Sequence, residues 1–256
     1  MRRVITFPCE GDTLFGTLDE APGTTGLLIV SGGNEIRAGA HRGMAALAAR
    51  VAAAGHPVFR FDRRGVGDST GVNGGYASAA PDLAAAIATF RTHAPQVTRL
   101  VGFGNCDAAT ALLLHAPGTF DRLLLANPWV VEAGPLPPPA AIRAHYLARL
   151  TDPKAWARLL SGQIRFGKLF SGLRRISQKT PEELSQLEAA VFAALAAHPD
   201  ARVLLASGDA TAIAFADAAR RAGHAGPVTR IDTASHSFAD AAAKAALTDA
   251  VLAALG

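Results

Sequence analysis

An α/β architecture, with a mostly parallel twisted sheet flanked by helices, is the fold class this sequence predicts. Three observations carry it. Continuous apolar runs at 26–30 (GLLIV) and 122–126 (RLLLA) suit strands covered on both faces. Stretches of helical periodicity alternate with such runs, as parallel strand connections require. Residues 99–115 read as strand, tight turn and helix, with Gly104-Asn105-Cys106-Asp107-Ala108 at the bend.

Taken in order, residues 4–7 and 13–18 flank a turn at Glu10-Gly11-Asp12. They read as an antiparallel hairpin at the sheet edge. The 26–30 strand ends in Ser31-Gly32-Gly33-Asn34. Within 40–54, Met44, Leu47, Ala48 and Val51 fall at helical spacing, and Gly55 stops the helix. Residues 56–61 form the next strand, and a glycine-punctuated loop runs from Asp62 to Tyr76. A helix over 80–93, with Leu83, Ala86, Ile87 and Phe90 on one face, leads to the bend at Cys106.

After the 122–126 strand the pattern breaks. Gly134-Pro135-Leu136-Pro137-Pro138-Pro139 admits neither regular helix nor strand. Residues 142–150, 153–160 and 181–197 have helical character, with a basic piece at 165–179 between the last two. We therefore expect 1–130 and 200–256 to form the core, and 131–199 to form a helical cap inserted over the sheet. The sheet resumes at 203–206. A helix at 211–221, a strand at 228–231 and a closing helix at 239–255 complete the chain.

Composition narrows the function classes. The chain has 256 residues, half of them hydrophobic and 18% charged, as a soluble globular protein does. Its net charge of +4 is scattered, with no basic run dense enough for a nucleic-acid partner. No apolar run approaches the roughly 18 residues of a membrane span, and polar residues arrive too early for a signal peptide. Cys9 and Cys106 are far apart and form no disulfide framework, so a reduced cytoplasm is the expected setting. The eight histidines show no metal-site spacing. Asp62-x-x-Gly-x-Gly lacks the lysine of a phosphate loop. Neither metal nor cofactor is expected.

Chemistry concentrates on three residues that each follow a predicted strand: Cys106, Asp209 and His236. A thiol at a strand-to-helix bend becomes a nucleophile when a base takes its proton, and the start of a helix favours the thiolate. His236 is the candidate base, and Asp209 the carboxylate that fixes its tautomer. Asp209 also reads as the N-cap of the 211–221 helix, and His236 as a surface loop residue. Asp217 and Asp232 are the other available acids. An oxyanion needs two N–H donors, expected from Asp107 and from Gly33 or Asn34. Glu35, Arg37, His41 and Arg42 flank that second donor. They read either as an anion-binding mouth or as a solvated helix start. Trp129, after the 122–126 strand, is a further candidate for substrate contact.

Gly32-Gly33-Asn34, the 61–69 segment FDRRGVGDS, Gly104-Asn105-Cys106-Asp107-Ala108 and Ser235-His236-Ser237-Phe238 resemble the α/β-hydrolase superfamily over nearly the whole chain. More narrowly they resemble exosortase A system-associated hydrolases of type 1, a match supported by residues 37–42 and by the segment from His145-Tyr146-Leu147 to Trp156. The resemblance implies the order nucleophile, acid, histidine and a bacterial setting beside exopolysaccharide and protein-sorting functions. It supplies no substrate. Cysteine stands where the superfamily usually has serine, Ala108 where the motif usually ends in glycine, and Gly208-Asp209 is tighter than the usual spacing.

The expected activity is hydrolysis of a small-molecule ester or thioester through an acyl-cysteine. A thiolate is also a good leaving group, so the same intermediate suits acyl transfer to an acceptor. The third alternative is a catalytically degenerate binding protein.

Overall fold

The computed structural model describes residues 1–132 and 183–256. Eight strands form one sheet: β1 (Arg2–Cys9), β2 (Asp12–Asp19), β3 (Thr25–Val30), β4 (Val58–Phe61), β5 (Arg99–Asn105), β6 (Arg122–Ala126), β7 (Arg202–Ala206) and β8 (Val228–Ile231). Their spatial order is β1-β2-β4-β3-β5-β6-β7-β8. The β1–β2 hairpin is antiparallel and pairs antiparallel with β4, and every other pairing is parallel. The hairpin is the expected edge, and the parallel body is the expected sheet.

Strand alternation divides the core in two. Leu27 and Ile29 of β3 face one side with Val101 and Phe103 of β5, against α1 (Gly43–Ala53) and α6 (Ala241–Leu255). Leu28 and Val30 face the other side, against α2 (Ala80–His93) and α3 (Asp107–His115). Both faces of β3 are buried along its length, which is why GLLIV carries no polar residue.

Helix α1 begins at Gly43, later than the periodicity suggests. His41 and Arg42 adopt left-handed backbone (φ 50° and 58°), which an α-helix excludes. A 3₁₀ turn at Ala40–Arg42 occupies the expected first turn.

Among the described residues, the remaining α-helices are α4 (Gln186–Ala197) and α5 (Ala210–Arg221). Residues 186–197, expected in the insertion, pack into the main core through Leu187, Val191, Phe192 and Leu195. The Phe192 and Phe215 rings lie 5.4 Å apart, joining α4 to α5. Ser185 and Glu188 form a capping box that starts α4. The other expected insertion helices, at 142–150 and 153–160, and the basic 165–179 piece lie outside the described residues. No helix among the described residues is long and apolar enough to cross a membrane.

Candidate active site

Strand β5 delivers Cys106 to a sharp bend. Its backbone is strained, with φ 62° and ψ −130°, a region that non-glycine residues avoid. Several contacts impose that conformation. The Cys106 N–H donates to the Ala126 carbonyl at 3.0 Å. The Cys106 carbonyl accepts from Ala109 at 3.1 Å and from Trp129 at 3.2 Å. A Cβ on Gly104 would lie 2.8 Å from backbone atoms of Ala108 and Ala109, so only glycine lets strand and helix meet here. The thiol is partly exposed, whereas Cys9 is buried.

His236 approaches from the loop after β8, and Asp209 from the end of β7. Nδ1 of His236 lies 3.0 Å from Oδ1 of Asp209. The other oxygen of Asp209 accepts the Thr211 and Ala212 N–H groups, each at 3.0 Å. Burial pushes the Asp209 carboxyl up. The hydrogen bond and charge of His236, with the two backbone donors, outweigh this and hold it below the usual range. His236 is raised from the ordinary imidazole value to about 10. The hydrogen bond to Asp209 contributes most, interaction with the Cys106 side chain comes next, and burial opposes both.

Of the three candidate acids, Asp209 is the one beside the histidine. Asp217 pairs with Arg220 and Arg221 on α5, and Asp232 is exposed. Gly208 explains how the tight spacing still works. A Cβ there would sit 3.0 Å from Ala234, so the glycine lets the histidine loop close over the acid turn.

The loop after β3 passes over the same bend. A Cβ on Gly32 would lie 3.0 Å from the Cβ of Cys106. The Gly33 N–H donates to the Asp107 carboxylate, while the Gly33 carbonyl accepts from Arg63 Nη2 and Asn73 Nδ2, both at 2.8 Å. Asn34 is exposed, and its side chain accepts from Asn73 at 3.0 Å. The Asp107 N–H lies in the first turn of α3, where a helix has no internal acceptor to offer.

The residues expected at a substrate mouth behave differently from one another. Arg37 is a fastener. Its guanidinium binds Thr17 at 3.1 Å, Asp68 at 2.9 Å and the fully buried Asp62. Glu35 accepts the Ala40 N–H at 2.7 Å and so shapes its own loop. His41 and Arg42 are exposed. Arg37 and Arg42 line a cavity of about 270 Å³ with Arg2, Arg60, Asp62 and Asp68, and none of Cys106, Asp209 or His236 borders it. Trp129 packs its partly buried ring against the core and holds the bend through its backbone.

No family model matches the chain, and no curated protein matches it. Solved structures do. An α/β hydrolase from a Penicillium species aligns with a TM-score of 0.65 at 17% identity, covering 100% of this chain and 98% of that one. A Pyrococcus furiosus esterase aligns at 0.64 and 14%, covering 100% and 89%. The thioesterase domain of the curacin biosynthetic pathway aligns at 0.59 and 13%, covering 98% and 99%. The chain has the α/β-hydrolase fold.

Within this hydrolase fold, two asparagines that sequence reasoning passed over tie the site together. Asn105 and Asn127 each donate to the His236 carbonyl at 3.1 Å, and Asn127 also donates to Asn105 at 3.0 Å. Asn127 accepts the Ala206 N–H at 2.8 Å, is fully buried and has a φ of 42°. Its place directly after a buried strand was the available signal. Among the described residues, no three His, Cys, Asp or Glu side chains converge as metal ligands do.

Proposed function

We propose that this chain hydrolyses an ester or thioester through an acyl-cysteine on Cys106, with His236 and Asp209 completing a triad. The observation that carries this reading is the Asp209–His236 hydrogen bond of 3.0 Å beside a thiol on a strained bend. The esterase and thioesterase structures that share the fold support the reaction class.

The steps follow from the groups present. His236 takes the thiol proton, giving a thiolate–imidazolium pair stabilised by Asp209. The thiolate attacks the carbonyl carbon, and the carbonyl π pair moves onto oxygen, where backbone N–H groups meet the charge. The oxyanion collapses, and the leaving alkoxide or thiolate departs with the bond pair and the proton of His236. Water, deprotonated by His236, then attacks the thioester, and the Cys106 sulfur leaves. The resemblance to exosortase A system-associated hydrolases supports a setting beside exopolysaccharide and protein-sorting functions, and the two free cysteines support a reduced cytoplasm.

Mass spectrometry after mixing with 4-nitrophenyl acetate tests the proposal. An acetyl group on the Cys106 peptide, absent from Cys106→Ala together with the turnover, is the expected result. Undiminished hydrolysis by Cys106→Ala overturns the proposal.

A further inference from the structure

The Gly33 N–H, one candidate oxyanion donor, is already given to an anion. The Asp107 carboxylate accepts it, so a developing oxyanion and a carboxylate compete for one donor. The cation beside this contact is Arg63, which is 2% exposed. Its Nη2 alone reaches both Asp107 oxygens, at 3.3 and 3.1 Å, and the Gly33 carbonyl at 2.8 Å. Its Nη1 is buried and has no hydrogen-bond partner among the described residues. A guanidinium meets a carboxylate best through two parallel bonds, one from each of two nitrogens. A buried donor left unused calls for an explanation, and a second carboxylate position supplies one.

Building on the activity proposed above, we infer that Asp107 and Arg63 are positioning residues that form a two-position latch on the oxyanion hole. In one position the Asp107 carboxylate covers the Gly33 N–H. In the other it lies fully on Arg63, bridging Nη1 and Nη2, and the N–H is released to the substrate oxygen. Arg63 Nη2 and Asn73 hold the Gly33 carbonyl, so the peptide keeps its direction. The positive φ of Gly33, 57°, is one that glycine adopts without strain.

The test is a double-mutant cycle on the acylation rate with 4-nitrophenyl acetate. Arg63→Met strands the carboxylate on Gly33. It should lower the acylation rate about 100-fold with KM little changed, the lower end of the range expected for losing one oxyanion donor. Arg63→Lys should recover part of the loss. Asp107→Ala removes the competing anion and should raise the rate, and in that background Arg63→Met should cost less than about threefold. Losses from the two substitutions that add in full, or a rate lowered by Asp107→Ala, overturn the latch. If Arg63→Met does not fold, the direction of the Asp107→Ala effect decides alone. Iodoacetamide alkylation, which forms no oxyanion, separates the two levels of failure. An unreactive Cys106 overturns the underlying activity, whereas a reactive Cys106 with an additive cycle overturns only the latch.

Discussion

Asp209 divides its carboxylate between two tasks: Oδ1 accepts from His236 Nδ1 at 3.0 Å, and Oδ2 accepts from the first N–H groups of α5. The cap and the candidate catalytic acid are one side chain. The helix therefore fixes the carboxylate, and the carboxylate fixes the imidazole.

This sharing makes the two roles separable by substitution. Asparagine caps helices about as well as aspartate, whereas alanine costs roughly 1 kcal/mol. Asp209→Asn should keep more of the thermal stability than Asp209→Ala. It should still lower turnover about 10³- to 10⁴-fold, because the amide favours the wrong imidazole tautomer. Melting curves and ester turnover of the two variants, measured side by side, check this. Equal turnover in Asp209→Asn and the wild type contradicts it.

The raised pKa of His236 links the site to stability. Unfolded, the imidazole titrates near 6.5, and in the native state it holds its proton to about 10. Between those values the native state binds more protons than the unfolded one, so stability falls as pH rises. The contribution is complete below about pH 6.5 and is lost as pH passes through about 10. Denaturant unfolding should show this decline in the wild type and a flatter profile in His236→Asn. Parallel profiles contradict the linkage.

Asn127 should matter to both folding and turnover. Its buried side chain bonds Asn105, His236 and Ala206. Asn127→Ala leaves the Ala206 N–H without its acceptor, at a cost of about 1–3 kcal/mol. It also loosens the histidine loop, so turnover should drop at least tenfold at a temperature where the variant is fully folded. Wild-type turnover there contradicts the role.

β3, β5 and β6 were legible because each carries an apolar run between turn residues and is buried on both faces. Cys106, Asp209 and His236 stood out as candidates because each follows a predicted strand. The true start of α1 was not, since nothing in the composition of His41 and Arg42 announces left-handed backbone. Residues 186–197 looked like part of an insertion because no strand precedes them closely. Their burial against α3 and α5 depends on tertiary packing that periodicity does not record. Arg37 read either as an anion contact or as part of a solvated helix start, and its bond to Asp62, a buried partner 25 residues away, follows from no local spacing. The Arg63–Asp107–Gly33 and Asn105–Asn127–His236 networks each draw on separate loops, so no local spacing reveals them.

If His236 makes Cys106 a nucleophile, the rate of Cys106 alkylation by iodoacetamide depends on His236. Cys9→Ser serves as the background, since that second thiol is buried and pushed up to about 11, first by burial and then by Asp82. An imidazolium beside the sulfur favours the thiolate, the form that reacts. Alkylation of Cys106 at neutral pH should fall at least tenfold in His236→Ala. An alkylation rate unchanged by His236→Ala would contradict that role.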